Sequence, residues 1–164
     1  MTAADLRQVI AIAAEVHPSS PEEAAVFAER LRLYPAGCHV FDSAGLVAGY
    51  ALSHPWCFRE PPPLNSVLGE LPARPSTYYI HDVALMPACR GGGAGSAIVE
   101  ILVAQARGAG FANLSLVALP EPAEFWRRHG FRVIESADAD AALTERLRSY
   151  GRAARFMARD LALA

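Results

Sequence analysis

The chain opens with a helical pattern. Thr2-Ala3-Ala4-Asp5 has the form of a capping box, and Leu6, Val9, Ile10 and Ala13 then recur at helical spacing, which predicts a first helix to about Val16. Pro18, Ser20 and Pro21 break it. Ser20-Pro21-Glu22-Glu23 supplies an N-cap, a first-turn proline and two acids suited to the positive end of a helix dipole, so a second helix is expected from there to about Tyr34-Pro35. Two β-type runs follow at 38–42 and 46–53. Asp42-Ser43-Ala44-Gly45 between them has hairpin turn chemistry, and the pair is expected to be antiparallel.

Farther on, the pattern predicts strands at 77–85, 113–118 and 154–161. A helix is expected at 96–107, carried by Ala97, Ile98, Ile101, Leu102 and Ala106 and stopped at Gly108. A short helix at 123–129 ends at Gly130; 131–135 reads as extended and 138–148 as helical. From His54 to Ser76 the chain holds six of its 12 prolines and reads as a long loop. Loops of that length usually serve a site. No repeat or low-complexity tract interrupts this order.

Composition narrows the class. With 52% hydrophobic and 20% charged residues in 164, the chain can bury a core, and one domain over 1–164 is expected. A net charge of -2 without any run of basic residues excludes a nucleic-acid or anionic-membrane footprint and favours a small-molecule partner. Cys38, Cys57 and Cys89 form no CxxC pair, so neither a disulfide framework nor a metal site is expected. Asp5 and Arg7 interrupt the N-terminus, and no apolar run reaches spanning length. A cytoplasmic protein is the expectation.

The chemistry concentrates at Arg90-Gly91-Gly92-Gly93-Ala94-Gly95, between a predicted strand and a predicted helix. A pyrophosphate needs convergent N–H donors without side chains in the way, and a glycine loop at a helix N-terminus offers these with the positive dipole end. A Walker A loop needs a lysine that is absent here, and GxGxxG requires glycine where Ser96 stands. On the glycines alone, a phosphate cradle and a ligand-free turn both remain open.

The surrounding residues add a resemblance. Arg90-Gly91-Gly92-Gly93-Ala94-Gly95, following Val83-Ala84-Leu85-Met86-Pro87, resembles the Gln/Arg-x-x-Gly-x-Gly/Ala signature of the GNAT acetyltransferase superfamily. Phe125-Trp126-Arg127-Arg128-His129-Gly130-Phe131 resembles its Phe-Tyr-x-x-x-Gly-Phe segment. Tyr34-Pro35, Ala51-Leu52-Ser53-His54-Pro55-Trp56, the long loop and Tyr79-Ile80-His81 follow the layout of the arylalkylamine (serotonin-type) N-acetyltransferases. The resemblance implies an α/β fold: a mixed, mainly antiparallel sheet splayed between 77–85 and 113–118, helices on both faces, and acetyl-CoA in the gap. The superfamily's usual first strand has no residues before helix 1 here, so the expectation is either a sheet edge shortened by one strand or a true start upstream. Backbone groups of Val83, Ala84 and Leu85 would pair with the pantetheine arm, with the Leu85 N–H polarising the thioester. Arg90, Gly91, Gly92, Gly93, Ala94, Gly95 and Ser96 would hold the pyrophosphate. A homodimer is a further implication for which the sequence locates no interface.

Attack on a thioester needs a neutral amine, and deprotonating an alkylamine of pKa about 10 at pH 7 costs roughly 4 kcal/mol. His81 is the first candidate base, since an imidazole suits the task and the resembling subgroup has a histidine there. By strand alternation Asp82 is expected on the opposite face, so only one of the two would reach a given cleft. Asp82 is the alternative base and His54 a weaker one, read as a solvated loop residue. Trp126 stands where the superfamily has an acidic tyrosine; indole cannot donate a proton as an acid and would cover the pantetheine. The acid role stays open among Tyr79, Tyr150, water and unassisted departure of the thiolate. Leu119 replaces a frequent asparagine. Trp56, Phe58, Pro61, Pro62, Tyr78, Tyr79 and the bend at His17 are candidates for a substrate pocket. Their apolar character favours acetyl transfer to a small hydrophobic or aromatic amine. The alternatives are a peptide or protein N-acetyltransferase, or a non-catalytic acyl-CoA-binding module.

Overall fold

The computed structural model describes residues 1–120, 123–135 and 141–161. A 3-10 turn at Ala3–Asp5 leads into α1, Leu6–Val16, and the Thr2 N–H donates to the Asp5 carboxylate at 2.6 Å. The second helix, α2, spans Ala24–Leu33 with Glu23 as its N-cap, so it begins later than Ser20-Pro21 suggests. The cause is long-range. Glu22 accepts from the Asn65 N–H at 2.9 Å and the Glu23 N–H donates to Asn65 Oδ1 at 2.7 Å, which pins both residues outside the helix.

The hairpin consists of β1, Cys38–Ser43, and β2, Leu46–Trp56. Its turn takes left-handed conformations at Ala44 (φ 55°) and Gly45 (φ 81°), and the Gly45 N–H donates to Asp42 Oδ1 at 3.0 Å. β2 continues past Ser53 because His54, Pro55 and Trp56 pair with β3, Thr77–Leu85. Pro55 is tolerated there because β1 pairs no farther along β2 than Leu52. The chain continues through α3 (Ala94–Gly108), β4 (Asn113–Ala118), α4 (Ala123–Arg128), β5 (Arg132–Val133), α5 (Ala141–Leu147) and β6 (Arg155–Asp160). The first residues of the helix expected at 138–148 lie outside the described residues.

The six strands form one sheet in the order β1-β2-β3-β4-β6-β5. All neighbours are antiparallel except β3 and β4, which run parallel and pair only from Tyr78↔Leu114 to Ile80↔Leu116. Beyond Ile80 the two strands part while β3 runs on to Leu85, so the sheet opens in its middle. Among the described residues no strand precedes α1, and the Met1 ammonium donates to the Cys38 carbonyl at 3.1 Å.

Helices cover both faces. Val9, Ile12 and Phe27 of α1 and α2 pack on Tyr50, Leu52 and Ala84, while Val99, Leu102 and Ala106 of α3 pack on Ala51, Tyr78, Ile80, Leu114 and Leu116. The alternation of Tyr50, Ala51 and Leu52 between these cores is the period-two signature of a strand covered on both sides.

Residues 57–76 are bound down. Arg30, 2% exposed, donates to the Ser66 carbonyl at 2.9 Å, and Glu29 accepts from the Leu68 and Gly69 N–H groups at 2.5 and 2.9 Å. From the other side the Tyr150 hydroxyl donates to the Pro62 carbonyl at 2.6 Å and Ser149 Oγ accepts from the Leu64 N–H at 3.0 Å. The prolines shape a shell held on two sides, and its link to the polar groups beneath α1 and α2 is the bond from Asn65 to Glu22.

Candidate active site and cofactor cleft

Register decides which groups face the sheet's opening. The Met86 N–H donates to the Ala48 carbonyl at 2.9 Å, so by antiparallel alternation the N–H and C=O of Ala84 also face β2. Those of Val83 and Leu85 face the other way, into the gap toward β4. Val83 and Leu85 therefore offer the free edge expected of a pantetheine partner; the backbone of Ala84 does not. Arg90 turns back, its Nε donating to the Leu85 carbonyl at 3.1 Å, so its charge is drawn to the strand end.

The loop leading into α3 is shaped by left-handed conformations at Gly91 (φ 85°) and Gly93 (φ 86°), which side-chain-bearing residues adopt only with strain. A Cβ at Gly91, Gly92 or Gly93 would meet nothing within 4 Å, so the loop faces open space. The first helical bond runs from the Ala97 N–H to the Gly93 carbonyl at 3.0 Å, and the amides of Ala94, Gly95 and Ser96 precede it. Open space, a run of amides without intrahelical acceptors and a positive dipole end together suit an anionic group. At Gly95 a Cβ would stand 3.2 Å from the Phe125 ring, because α4 lies directly on this first turn.

The reacting end is shaped by a bulge. Leu52 pairs with Asp82 but the next residue, Ser53, pairs with Ile80, so His81 is an extra residue on β3. The expected alternation of His81 and Asp82 is therefore overturned: the bulge puts both side chains on the face covered by α1 and α2. His81 Nε2 lies 3.0 Å from Glu22 Oε2, and His17 Nε2 lies 3.1 Å from Asp82 Oδ1. The Tyr50 hydroxyl donates to Asp82 from below. Two carboxylate–histidine pairs thus stand side by side. His17, Glu22 and Asp82 border a small cleft of about 60 Å³ lined also by Ile10, Ala13, Ala14, Ser20, Pro21 and Phe27, whereas His81, its side chain 2% exposed, is not in the lining.

The electrostatics follow from these contacts. Burial alone would raise both carboxyls, but Glu22 is held below its ordinary value by His81 and the Asn65 N–H, and Asp82 by His17 and the Tyr50 hydroxyl. His17 is raised by its contact with Asp82, against burial. Burial, followed by the adjacent Asp82 charge, pushes the Tyr50 phenol far up. His54 is not a solvated loop residue: it sits on β2, 1% exposed, and burial lowers it to about 3. Its Nδ1 lies 3.0 Å from the Pro55 carbonyl, which assigns the hydrogen to Nδ1 and leaves Nε2 a bare acceptor. Among the described residues His54 Nε2 and His81 Nδ1 are both buried without a protein partner, with ring centroids 6.3 Å apart.

The aromatic candidates lie elsewhere. Tyr79 is 1% exposed in a core with Leu143 and Phe156, joined by Trp56 and Phe58. Tyr78 is fully buried on the α3 face, its hydroxyl donating to Gln105 Oε1 at 3.2 Å. Pro61 and Pro62 are buried in the shell. None of these borders the cleft; their apolar surface is used in packing. Burial raises the phenols of Tyr79 and Tyr150, the latter to about 12. Trp126 is 7% exposed, edge-on to Phe125 at 5.1 Å and Phe131 at 5.3 Å within the α3-side core. Tyr50 and Glu22 escaped notice because one sits in an apolar strand and the other in an apparent helix start. Among the described residues no three His, Cys, Asp or Glu side chains group as a metal site, and no helix is long and apolar enough to cross a membrane.

Comparison with known proteins agrees with this architecture. Serotonin N-acetyltransferase 2, chloroplastic, of Oryza sativa subsp. japonica is 44% identical over 52 residues, which make up 32% of this chain and 26% of the rice protein. The matched part is thus about a quarter of that relative's length. The fold is shared with GphF, a GNAT-like decarboxylase solved with isobutyryl-CoA (TM-score 0.76, 16% identity, 98% of this chain and 96% of that one). It is also shared with Ard1 of Thermoplasma volcanium (TM-score 0.71, 17% identity, 98% and 94%). The profile of the acetyltransferase (GNAT) family matches residues 5–131, and the chain belongs to that family.

Proposed function

We propose that the protein is an acetyl-CoA-dependent N-acetyltransferase acting on the primary amine of a small, largely apolar molecule, with residues 1–164 forming one acyltransferase domain. The observation that carries this reading is the bulge at His81, which brings two carboxylate–histidine pairs together on one face of β3, with His17, Glu22 and Asp82 lining a cleft.

The pantetheine arm lies along Val83 and Leu85 with its diphosphate on Gly91 to Ser96. Its sulfur end then points toward the bulge. The Val83 N–H, the outward amide nearest the bulge, is placed to polarise the thioester carbonyl, and the Leu85 N–H serves the arm farther from the reacting end. The amine enters from the α1–α2 side. Glu22 and Asp82 attract its ammonium form while Ile10, Ala13 and Phe27 receive its apolar part.

The amine proton reaches His81 by way of Glu22, the member of that pair which lines the cleft. The neutral nitrogen attacks the thioester carbon, a C–N bond forms, the C–S bond breaks with its electron pair going to sulfur, and the surplus N–H proton passes to water or to the departed thiolate, leaving the amide and CoA. A thiol pKa near 8.5 makes that departure feasible without a protein acid, in keeping with the buried indole of Trp126.

The test is acetyl-CoA with a panel of arylalkylamines, alkylamines, polyamines and amino acids, followed by CoA release and product mass. Acetylation of apolar primary amines, lost in His81→Gln, is expected. No turnover above the uncatalysed rate with any amine sinks the reading.

A further inference from the structure

The C-terminal end of α4 meets the glycine loop through one side chain that the proposed reaction does not use. His129 Nδ1 lies 2.8 Å from the Phe125 carbonyl, and its Nε2 lies 3.0 Å from Ser96 Oγ. A carbonyl can only accept, so Nδ1 carries the hydrogen, and in the neutral ring Nε2 is an acceptor to which the Ser96 hydroxyl donates. The ring also lies over Phe125, centroids 4.4 Å apart, so its orientation is fixed from two directions. Ser96 is in the first turn of α3, within the run of amides that faces open space at the glycine loop.

That hydrogen bond is incompatible with a diphosphate at the loop. Phosphate oxygens are acceptors and compete for the Ser96 hydroxyl hydrogen. They would also bring negative charge toward the Nε2 lone pair, two acceptors facing one another. Protonation of the ring reverses the conflict, because an imidazolium donates from both nitrogens and Nδ1–H can keep its bond to Phe125. An imidazole can make that change near neutral pH, and the proton comes from solvent.

The charged groups around the ring permit it. Arg159 of β6 reaches the His129 carbonyl with Nη1 at 2.9 Å, on the backbone side of the residue. On α4, Glu124 is engaged with Arg127 at 3.4 Å. Across the loop Arg90 is turned onto Leu85. Among the described residues no carboxylate makes an ion pair with His129, so the incoming anion supplies the charge that favours the imidazolium.

We infer that His129 is a cofactor-binding residue that gains a proton as the cofactor's diphosphate settles on Ser96, parked on the serine hydroxyl as an acceptor in the free protein and acting as a donor in the complex. The inference rests on the proposed placement of CoA.

Calorimetric titration at pH 7.5 in buffers of different ionisation enthalpy counts protons exchanged on binding. The wild-type protein is expected to take up a fraction of a proton with CoA and equally with 3′-dephospho-CoA, which keeps the diphosphate, but none with pantetheine, which lacks it. His129→Gln, able to donate without titrating, is expected to bind CoA with no proton uptake. His129→Phe is expected to bind roughly tenfold more weakly. Unchanged uptake in His129→Gln, uptake with pantetheine, or its loss with 3′-dephospho-CoA overturns the role of His129. If wild-type protein binds no CoA at millimolar concentration, the cofactor placement itself falls.

Discussion

His81 and Asp82 are consecutive on β3, yet both side chains lie on the same face of the sheet, one 3.0 Å from Glu22 and the other 3.1 Å from His17. The extra residue opposite the Leu52–Ser53 step is what makes this possible. A shared face has consequences that separate the two residues by experiment.

Replacing His81 with Gln removes a titrating group but keeps a polar side chain of similar reach. The expected result is a fall in kcat of about 10²- to 10⁴-fold with CoA affinity unchanged. Asp82→Asn should act differently, raising KM for the amine as well, because Asp82 lines the cleft and holds His17 in its wall. Steady-state kinetics of both variants against calorimetric CoA affinity distinguishes these outcomes.

The same pairs set a pH dependence of stability. His17 is raised in the folded protein, so its contribution is complete below about pH 6.5 and is lost as pH rises through the folded value. Glu22 and Asp82 are lowered, so theirs is present above the ordinary carboxylate values and lost as pH falls through the folded ones. Tm is therefore expected to decline on both sides of mildly acidic pH. His17→Gln should flatten the alkaline side and also weaken the acid side, because His17 helps hold Asp82 down; a melting series from pH 4 to 9 would reveal both.

Gly93 precedes α3 at φ 86° with open space around it. Gly93→Ala is expected to cost about 1–2 kcal/mol through backbone strain alone. CoA affinity should fall further than stability, since the amides that follow are displaced. Gly92→Ala, without a positive φ, is the control. Melting and CoA titration of both variants are the measurements.

Trp126 is buried between Phe125 and Phe131. Trp126→Tyr should restore the superfamily's tyrosine without raising kcat, because the hydroxyl enters a packed core. Trp126→Ala should cost about 3–5 kcal/mol. A tyrosine variant that turns over tenfold faster would show that an acid was missing.

Arg30 is buried and donates to both Glu29 and the Ser66 carbonyl. Arg30→Ala leaves Glu29 without its buried partner and should destabilise by about 3–5 kcal/mol. Limited proteolysis should then cut first within residues 57–76, whereas cleavage elsewhere would argue against Arg30 holding that shell down.

Where local chemistry decided the outcome, the sequence was sufficient. Asp42 to Gly45 formed the hairpin turn, and the strands at 77–85 and 113–118 kept their expected limits because their β-type runs end at a proline-flanked loop or at glycine. The glycine loop was legible for the same reason. What escaped depended on distant partners. Glu22 and Glu23 read as a helix start, but Asn65 holds them outside it. Tyr79 and Phe58 looked like pocket residues because an aromatic side chain, on a strand or in a loop, carries no mark of whether Phe156 will lie against it. The bulge was invisible for a plainer reason: period two is a rule for unbroken strands, and the interruption is set by the register of β2.

The parting of β3 from β4 leaves Val83 and Leu85 as an unzipped seam in the interior of a sheet, a place where strands normally complete one another's ladders. The free protein is in that sense a sheet lacking one rung-bearing element, which on the proposed reading an extended amide-containing ligand would supply. Hydrogen exchange should then be fast at the Val83 and Leu85 amides and slow at Ala84, and ligand binding should erase the difference. On the proposed reading the cofactor would become part of the architecture for as long as it stays.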